Sequence, residues 1–375
     1  MKPFLTKKLF CPGPTPALPK EASQVLYHRT EEFYQISKST AELLQKLVNS
    51  PNLPLLLSSS GTGAMESAVV NFTEPGTIAC VISAGKFGER WGKICDTYQC
   101  DTRILSAAYG QFPTPADVTQ FIDENKPQIV FFQANETSTA VAPNLDTYIS
   151  AIRKNHAPLI AVDGISAVVA HDINMIDSGI DILVGGCQKG FGVDPGLAFI
   201  AYSDQAADNF STRPRFYFDL RKEAKSQASG KAAYTPPIQL IVDMNRALTY
   251  FESIGFNTVS EHHHRRAVAT RAAIAAIGLE TLNADHFSNT VTAVNIPHSV
   301  DGKALLKKLA SEYGYIFAGG QDELSGKIIR ISHLGFVNEF DMLGALGALE
   351  MGLKEAGHTF TLGSGVSAFT QMWMT

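Results

Sequence analysis

Leu159-Ile160-Ala161-Val162-Asp163 and Asp181-Ile182-Leu183-Val184-Gly185-Gly186-Cys187-Gln188-Lys189 are apolar runs that each end in an ionisable residue. Both are too short for a stable helix, and their cores, 159–162 and 182–186, carry no polar side chain on either face. Such runs predict strands buried on both sides, as in a parallel sheet. The same rhythm repeats outward. Further strands are expected at 53–58, 77–83, 102–105, 128–133 and 197–202, beside 159–163 and 182–185. Helical patterns fall between them at 64–72, 88–98, 115–124 and 147–154. The alternation predicts an α/β fold with a mostly parallel central sheet covered by helices. Right-handed crossovers then bring the strand ends to one edge, where open α/β sheets bind ligands.

The rhythm changes near Pro236-Pro237. A long helical stretch over about 238–278 is followed by a strand at 290–296, a helix at 302–312, a strand at 327–333 and a helix at 339–356. We therefore expect an N-terminal arm over 1–20, a large domain over 21–260 and a smaller C-terminal α+β domain over 261–375. A chain of 375 residues suits two lobes better than one core. With a net charge of −5 and no basic stripe, no nucleic-acid partner is expected. No apolar run reaches the roughly 18–20 residues of a membrane span. The N-terminus lacks the apolar core of a secretory signal. Five cysteines, without a CxxC pair or Cys/His metal spacing, suit a reducing compartment and predict no metal site; cytoplasm is the expected location.

At the ligand edge Asp163 and Lys189 would both lose water, which perturbs their proton affinities. Taken singly, Asp163 can be a helix cap and Lys189 a surface loop residue. One small molecule uses both. The pyridine nitrogen of pyridoxal 5'-phosphate needs a buried carboxylate to stay protonated, and its aldehyde needs a lysine amine. A third element, Ser58-Ser59-Ser60-Gly61-Thr62-Gly63-Ala64-Met65-Glu66, follows a strand and opens a helix. Its small residues and helix N-terminus suit a phosphate. A dinucleotide fold is the rival reading of Gly61-Thr62-Gly63. However, Glu66 stands in place of the third glycine, and the next strand runs into Ser83-Ala84-Gly85 where a ribose-binding acid is required. Arg330, in Lys327-Ile328-Ile329-Arg330-Ile331-Ser332-His333, must meet a carboxylate in an apolar strand. That carboxylate is either an internal Asp or Glu or the α-carboxylate of an amino-acid substrate.

These segments, in this order, resemble the class V aminotransferases of fold type I, in particular the alanine–glyoxylate, serine–glyoxylate and serine–pyruvate group. The resemblance also includes Pro12-Gly13-Pro14-Thr15-Pro16, His28-Arg29-Thr30, Ser83-Ala84-Gly85-Lys86-Phe87-Gly88-Glu89-Arg90-Trp91, Asn135-Glu136-Thr137-Ser138-Thr139 and Arg330-Ile331-Ser332-His333-Leu334-Gly335. It implies that Lys189 carries the cofactor as a Schiff base and that Asp163 pairs with the ring nitrogen. Phe87 would stack on the ring, Thr137 approach its phenolic oxygen, and Gly61, Thr62 and Gln188 hold the phosphate. Thr235 would reach the phosphate of a neighbouring subunit, implying a homodimer with shared sites. Arg330 would bind the substrate carboxylate. The implied reaction moves the amino group of a small amino acid, serine or alanine, to a 2-oxo acid, glyoxylate or pyruvate.

Three positions depart from the family pattern. Ala140 and Glu31 stand where relatives often carry glycine and proline, and Cys187 replaces a usual serine. A cysteine desulfurase of the same fold is the rival chemistry, but it carries histidine where this chain has Gln188, and Cys187 is too near the lysine to act as a mobile nucleophile. An NAD-dependent oxidoreductase is the rival from another class. His262-His263-His264 is expected to be a solvated helix face, because consecutive helical residues point about 100° apart and cannot share one ion. Cys95 and Cys100 are expected to be packing residues.

Overall fold

The apolar runs pair into a seven-stranded sheet in a computed structural model of the protein, which describes residues 7–17 and 26–375. The strands of the chain are β1 (Lys8–Phe10), β2 (Leu55–Leu57), β3 (Ile78–Ser83), β4 (Asp101–Ser106), β5 (Ile129–Gln133) and β6 (Leu159–Asp163). They continue with β7 (Ile182–Gly186), β8 (Ala198–Tyr202), β9 (Val291–Asn295), β10 (Tyr315–Gly319) and β11 (Ile328–Ser332). The large sheet has the order β2-β8-β7-β6-β5-β3-β4. The neighbours from β7 through β4 run parallel, and β8 is antiparallel to both β7 and β2.

Strand alternation divides the apolar side chains between two layers. Ile129, Phe131, Leu159, Ala161, Ile182 and Val184 pack with Met65, Val69 and Trp91, from helices Gly61–Phe72 and Lys86–Thr97. Val130, Phe132, Ile160, Val162 and Leu183 face the other way, onto Phe33 and Leu44 of helix Glu31–Val48 and Met244 and Leu248 of helix Ile238–Ile254. Burial on both faces explains why these strands show no polar alternation in the sequence. Gln133, Asp163 and Val184 lie side by side in register, so the carboxyl ends of β5, β6 and β7 form one ledge.

The second sheet has the order β1-β10-β11-β9. Residues 8–10, from the segment expected as an arm, form its edge strand and pair in parallel with β10. Phe10 is buried there with Phe317, Ile329, Ile331 and Val294, beneath helices Glu339–Glu355 and Ser364–Met374. No helix among the described residues is long and apolar enough to cross a membrane.

Three local expectations need correction. The stretch over 238–278 is two helices, Ile238–Ile254 and Phe256–Ala276, because Gly255 sits at φ 88° and ψ 125°. A helix cannot pass through that conformation, and glycine adopts it without a side-chain penalty. The helix expected over 302–312 keeps its regular form only to Lys308 and then widens into a π-turn over Leu309–Tyr313. Finally, His262 and His264 are exposed, but His263 is 2% exposed. It lies on the same buried stripe as Val259, Arg266 and Thr270, and its Nδ1 donates to Val259 O at 2.8 Å.

At the far end of β11 the His333 ring is wholly buried, with Nδ1 2.8 Å from Asn289 O and Nε2 3.0 Å from Thr292 Oγ1. Burial lowers its proton affinity from 6.5 to about 3. Below pH 6.5 the unfolded chain therefore binds a proton that the folded chain refuses until about pH 3, and stability falls as pH drops through that window. The substitution His333→Gln removes this penalty. Its destabilising effect in urea titrations is expected to be about 2 kcal/mol smaller at pH 5 than at pH 7. An equal cost at both pH values would contradict the neutral, buried imidazole.

Candidate active site

The ledge at the ends of β6 and β7 opens into a cavity of about 230 Å³. Asp163, the last residue of β6, is 4% exposed, and its Oδ1 accepts a 2.8 Å hydrogen bond from Ile165 N. Past β7 the chain turns through Cys187 to Lys189. That turn is held by Val193 N to Cys187 O at 3.1 Å and Gly192 N to Lys189 O at 3.0 Å. The N-terminal segment lies across it. Thr15 Oγ1 donates to Lys189 O at 2.7 Å, and Lys189 Nζ donates to Pro12 O. Gly13, at φ 141°, is the residue that permits this approach, since any Cβ there would collide with the lysine side chain.

Burial governs the charge state of both groups. The Lys189 amine is drawn down from 10.5 to about 8, first by loss of water, with Arg330 and Arg90 adding to the effect and Asp163 opposing it. Asp163 is pushed up from 3.8 to about 7, again chiefly by burial, while the Ile165 amide pulls it back. An amine and a carboxylate thus share one cavity with proton affinities about a unit apart, both near neutrality.

Gly61 and Thr62 line the cavity at the start of helix Gly61–Phe72, which no side chain caps. The amides of Gly63 and Ala64 turn back to Ser60 O. No hydrogen bond among the described residues takes up those of Gly61 and Thr62, so this helix start is a donor site for an anion. Arg90 extends it: its Nη1 donates to Thr62 Oγ1 at 2.8 Å while the guanidinium lies 4.8 Å from the Phe87 ring centroid. Phe87 and Ile165 are both in the lining, and the Phe87 centroid is 6.0 Å from Lys189 Nζ. Thr137 and Gln188 also line the cavity. Two buried acceptors there, Gln188 Oε1 and Asn135 Oδ1, have no hydrogen-bond partner. Buried polar atoms are seldom left so, and these two call for a ligand.

Two residues expected at the site stand outside the lining. Arg330 is buried behind Thr137, with Nη1 donating to Thr137 O and Nε to Gly319 O, both at 2.9 Å. Among the described residues no carboxylate forms an ion pair with it. Thr235 is exposed. Of the departures from the family pattern, Ala140 adopts φ 61°, a left-handed conformation that glycine would hold without strain. The Cys187 thiol is buried, donates to Asp194 O at 2.9 Å and is pushed up to about 11, a packing role with no freedom to act as a mobile nucleophile.

Sequence reasoning assigned no role to Glu136 or Arg90. Glu136 is fully buried and accepts four hydrogen bonds: from Phe87 N at 2.9 Å, Gly88 N at 3.1 Å, Ser138 N at 3.0 Å and Ser138 Oγ at 2.6 Å. Burial raises its proton affinity and these donors oppose the rise. The carboxylate thereby fixes the start of helix Lys86–Thr97 and with it Phe87. The available signal was a lone acid among small and hydroxyl residues directly after a buried strand. For Arg90 it was the three-residue spacing from Phe87 on one helix face.

The family model for aminotransferase class-V matches residues 19–339. A soluble hydrogenase small subunit of Synechococcus sp. (strain PCC 6716) is 36% identical, covering 98% of both chains. L-aspartate–glyoxylate aminotransferase of Paracoccus denitrificans is 31% identical over 96% of this chain and 94% of its own length. Among solved structures, alanine–glyoxylate aminotransferase from Nostoc sp. superposes with a TM-score of 0.87 at 26% identity, covering 94% of this chain and 97% of that one.

Because Glu136 meets only donors, Glu136→Gln turns one acceptor into an amide N–H₂ facing them. Urea denaturation is expected to show a loss of about 2–3 kcal/mol. A neutral substitution would mean that Glu136 does not anchor the Phe87 turn.

Proposed function

The chain belongs to the class-V aminotransferase family, and from that premise we propose that it transfers the amino group of a small amino acid, serine or alanine, to glyoxylate or pyruvate. The observation that carries this reading is the meeting of a half-buried lysine, Lys189, and a buried carboxylate, Asp163, in one cavity whose other end is an uncapped helix start. The names of the Paracoccus and Nostoc relatives share glyoxylate as acceptor and differ in donor, which supports the acceptor more strongly. Residues of the cavity argue for amino-group chemistry, and none argues for the hydrogen chemistry in the cyanobacterial relative's name.

Pyridoxal 5'-phosphate is the cofactor that the family implies, and the residues fit it. The open amides of Gly61 and Thr62 match a phosphate ester, the buried carboxylate in need of a cation matches a protonated aromatic ring, and the unpartnered Gln188 and Asn135 oxygens are acceptors open to N–H or O–H groups of the ligand. When bound, the cofactor supplies an electron sink for the bond broken at the substrate α-carbon. Lys189 would hold its aldehyde carbon, Asp163 its ring nitrogen and Phe87 one ring face. Thr137 would lie near its phenolic oxygen, and Gly61, Thr62 and Gln188 around its phosphate. Thr235, exposed on its own chain, is assigned to the phosphate of a second copy in a cytoplasmic homodimer with shared sites. Residues 21–260 would form the cofactor lobe and 261–375 the smaller one, a division supported by Val259 packing in the first core and Ala269 in the second.

The chain's own residues then do three things. Arg330 binds the substrate α-carboxylate; its guanidinium has only carbonyl partners in the fold and is free to take a carboxylate. Lys189 Nζ removes the proton from the substrate α-carbon, a task suited to an amine whose affinity lies near 8. Asp163 keeps a negative charge buried where a ring cation requires it.

The panel that tests this mixes the holoenzyme with L-serine, L-alanine or L-aspartate and follows bleaching of the cofactor band near ~410–430 nm, then its recovery with glyoxylate, pyruvate or 2-oxoglutarate. Bleaching by serine or alanine and recovery with glyoxylate or pyruvate is expected. Lys189→Ala should lose turnover by more than about 1000-fold. Full turnover by that variant without added amine would falsify the proposal.

A second expectation concerns pH. The free-base fraction of Lys189 rises through about 8, so cofactor uptake by the cofactor-free protein should accelerate about tenfold between pH 7 and pH 9 and then level off. Stopped-flow absorbance measures the rate. A rate still climbing toward pH 10.5, as for an ordinary lysine, would count against the buried amine.

A further inference from the structure

A second cavity, of about 470 Å³, opens where the helices separated by Gly255 meet the loop leading into helix Glu339–Glu355. That volume is in the range of small-molecule sites. Its polar lining comes from His262, His263 and Arg266 of helix Phe256–Ala276, the last two buried neighbours three residues apart, and from Asn338 and Glu339 at the start of helix Glu339–Glu355. Arg266 is 6% exposed, and its guanidinium donates only to carbonyls, through Nε to His262 O at 3.2 Å and through Nη1 to Val337 O. Among the described residues no carboxylate forms an ion pair with it. Glu339, half-buried in the same lining, attracts it from a greater distance. His263 donates from Nδ1 to Val259 O, so Nε2 carries a lone pair, and that buried atom has no partner. A buried cation without a counter-ion and a buried acceptor without a donor are both costly.

The remaining walls are apolar, and four of their residues are aromatic. Phe251 and Phe336 stack with centroids 5.8 Å apart, and Tyr250 and Trp373 line the same space. We propose that this cavity binds a free amino acid with a flat apolar side chain, at a site separate from the one where amino acids react with Lys189. The carboxylate meets Arg266. The ammonium donates to His263 Nε2 and takes Glu339 as its counter-charge, which accounts for an acid in the wall of a site that also holds a buried arginine. The side chain lies against Phe336, Tyr250 and Trp373. An uncharged or purely anionic ligand would leave one of these groups unanswered. Gly190, directly after Lys189, is part of the lining, and Phe336 N donates to Pro16 O at 3.2 Å, next to the Thr15 that holds the lysine loop. An occupant therefore rests against the segments that position the lysine.

The protein carries its own reporter. Of its two tryptophans, Trp373 lines this cavity, while Trp91 is buried against Phe131 in the large core. L-phenylalanine added to the holoenzyme is expected to change tryptophan emission saturably. Phenylacetate, which lacks the ammonium, and phenethylamine, which lacks the carboxylate, should each bind at least about tenfold more weakly. Arg266→Gln should abolish the response and Trp373→Phe should remove the signal. Should the buried Arg266 variant fail to fold, Glu339→Gln, at a half-buried position, still tests the site and should weaken binding severalfold. Arg330→Gln should leave the emission change intact, which separates this cavity from the reacting site. No saturable change, equal binding of L-phenylalanine and phenethylamine, or loss of the response in Arg330→Gln would each overturn the proposal. None of these outcomes touches the transamination reading, which is judged by the cofactor band.

Discussion

A half-buried primary amine beside a buried carboxylate is the constraint on which the ligand edge of the seven-stranded sheet depends. Neither Lys189 nor Asp163 is surrounded by enough hydrogen bonds to make its burial comfortable: one amide answers Asp163 and one carbonyl answers the lysine. Such a pair persists only if the scaffold around it is over-determined. The scaffold meets that demand in layers. Register between β6 and β7 sets the two strand ends side by side, apolar packing on both faces prevents either strand from shifting, and the 12–15 segment closes over the lysine.

The four-stranded sheet is wired into the same place. Arg330 on β11 bonds to the carbonyl of Thr137, and Asn135 Nδ2 bonds both to Ser166 Oγ at 2.8 Å and to Thr290 Oγ1 at 2.9 Å, just before β9. Residues at the wall of the cavity thus report on how the second sheet sits. These contacts use hydroxyls, an amide and a guanidinium, which bond directionally, and so they fix orientation more tightly than apolar packing would.

What could be read from the chain alone follows from this physics. Strands buried on both faces leave unbroken apolar runs, and β3, β5, β6, β7 and β8 and the ends at Asp163 and Lys189 are visible for that reason. Gly61, Thr62, Phe87, Thr137, Gln188, Asp163 and Lys189 come together in one lining. Elements whose formation depends on a distant partner are not visible. The run Tyr315–Gly319 is half-buried and flanked by glycines, and it becomes a strand because β1 and β11 pair with it from opposite ends of the chain. Glu136 looks like an ordinary polar residue until four donors converge on it. Gly255 gives no sign in a helical pattern that it will break the helix, since an isolated glycine is tolerated there at modest cost. His263 was hidden because a run of three histidines suggests a wet surface, while the helical period places the middle one inside.

The pairing of β1 with β10 has a consequence for the order of events during synthesis. Residues 8–10 find their hydrogen-bonding partner only when residues 315–317 emerge from the ribosome, some three hundred positions later. Contacts of such sequence separation form late, because a long loop must close before they repay its entropy. Residues 12–15, tethered to that strand, cannot settle over Lys189 until then. The seven-stranded sheet can assemble early in the nascent chain, yet the amine beside it stays uncovered until residues 315–317 have been made.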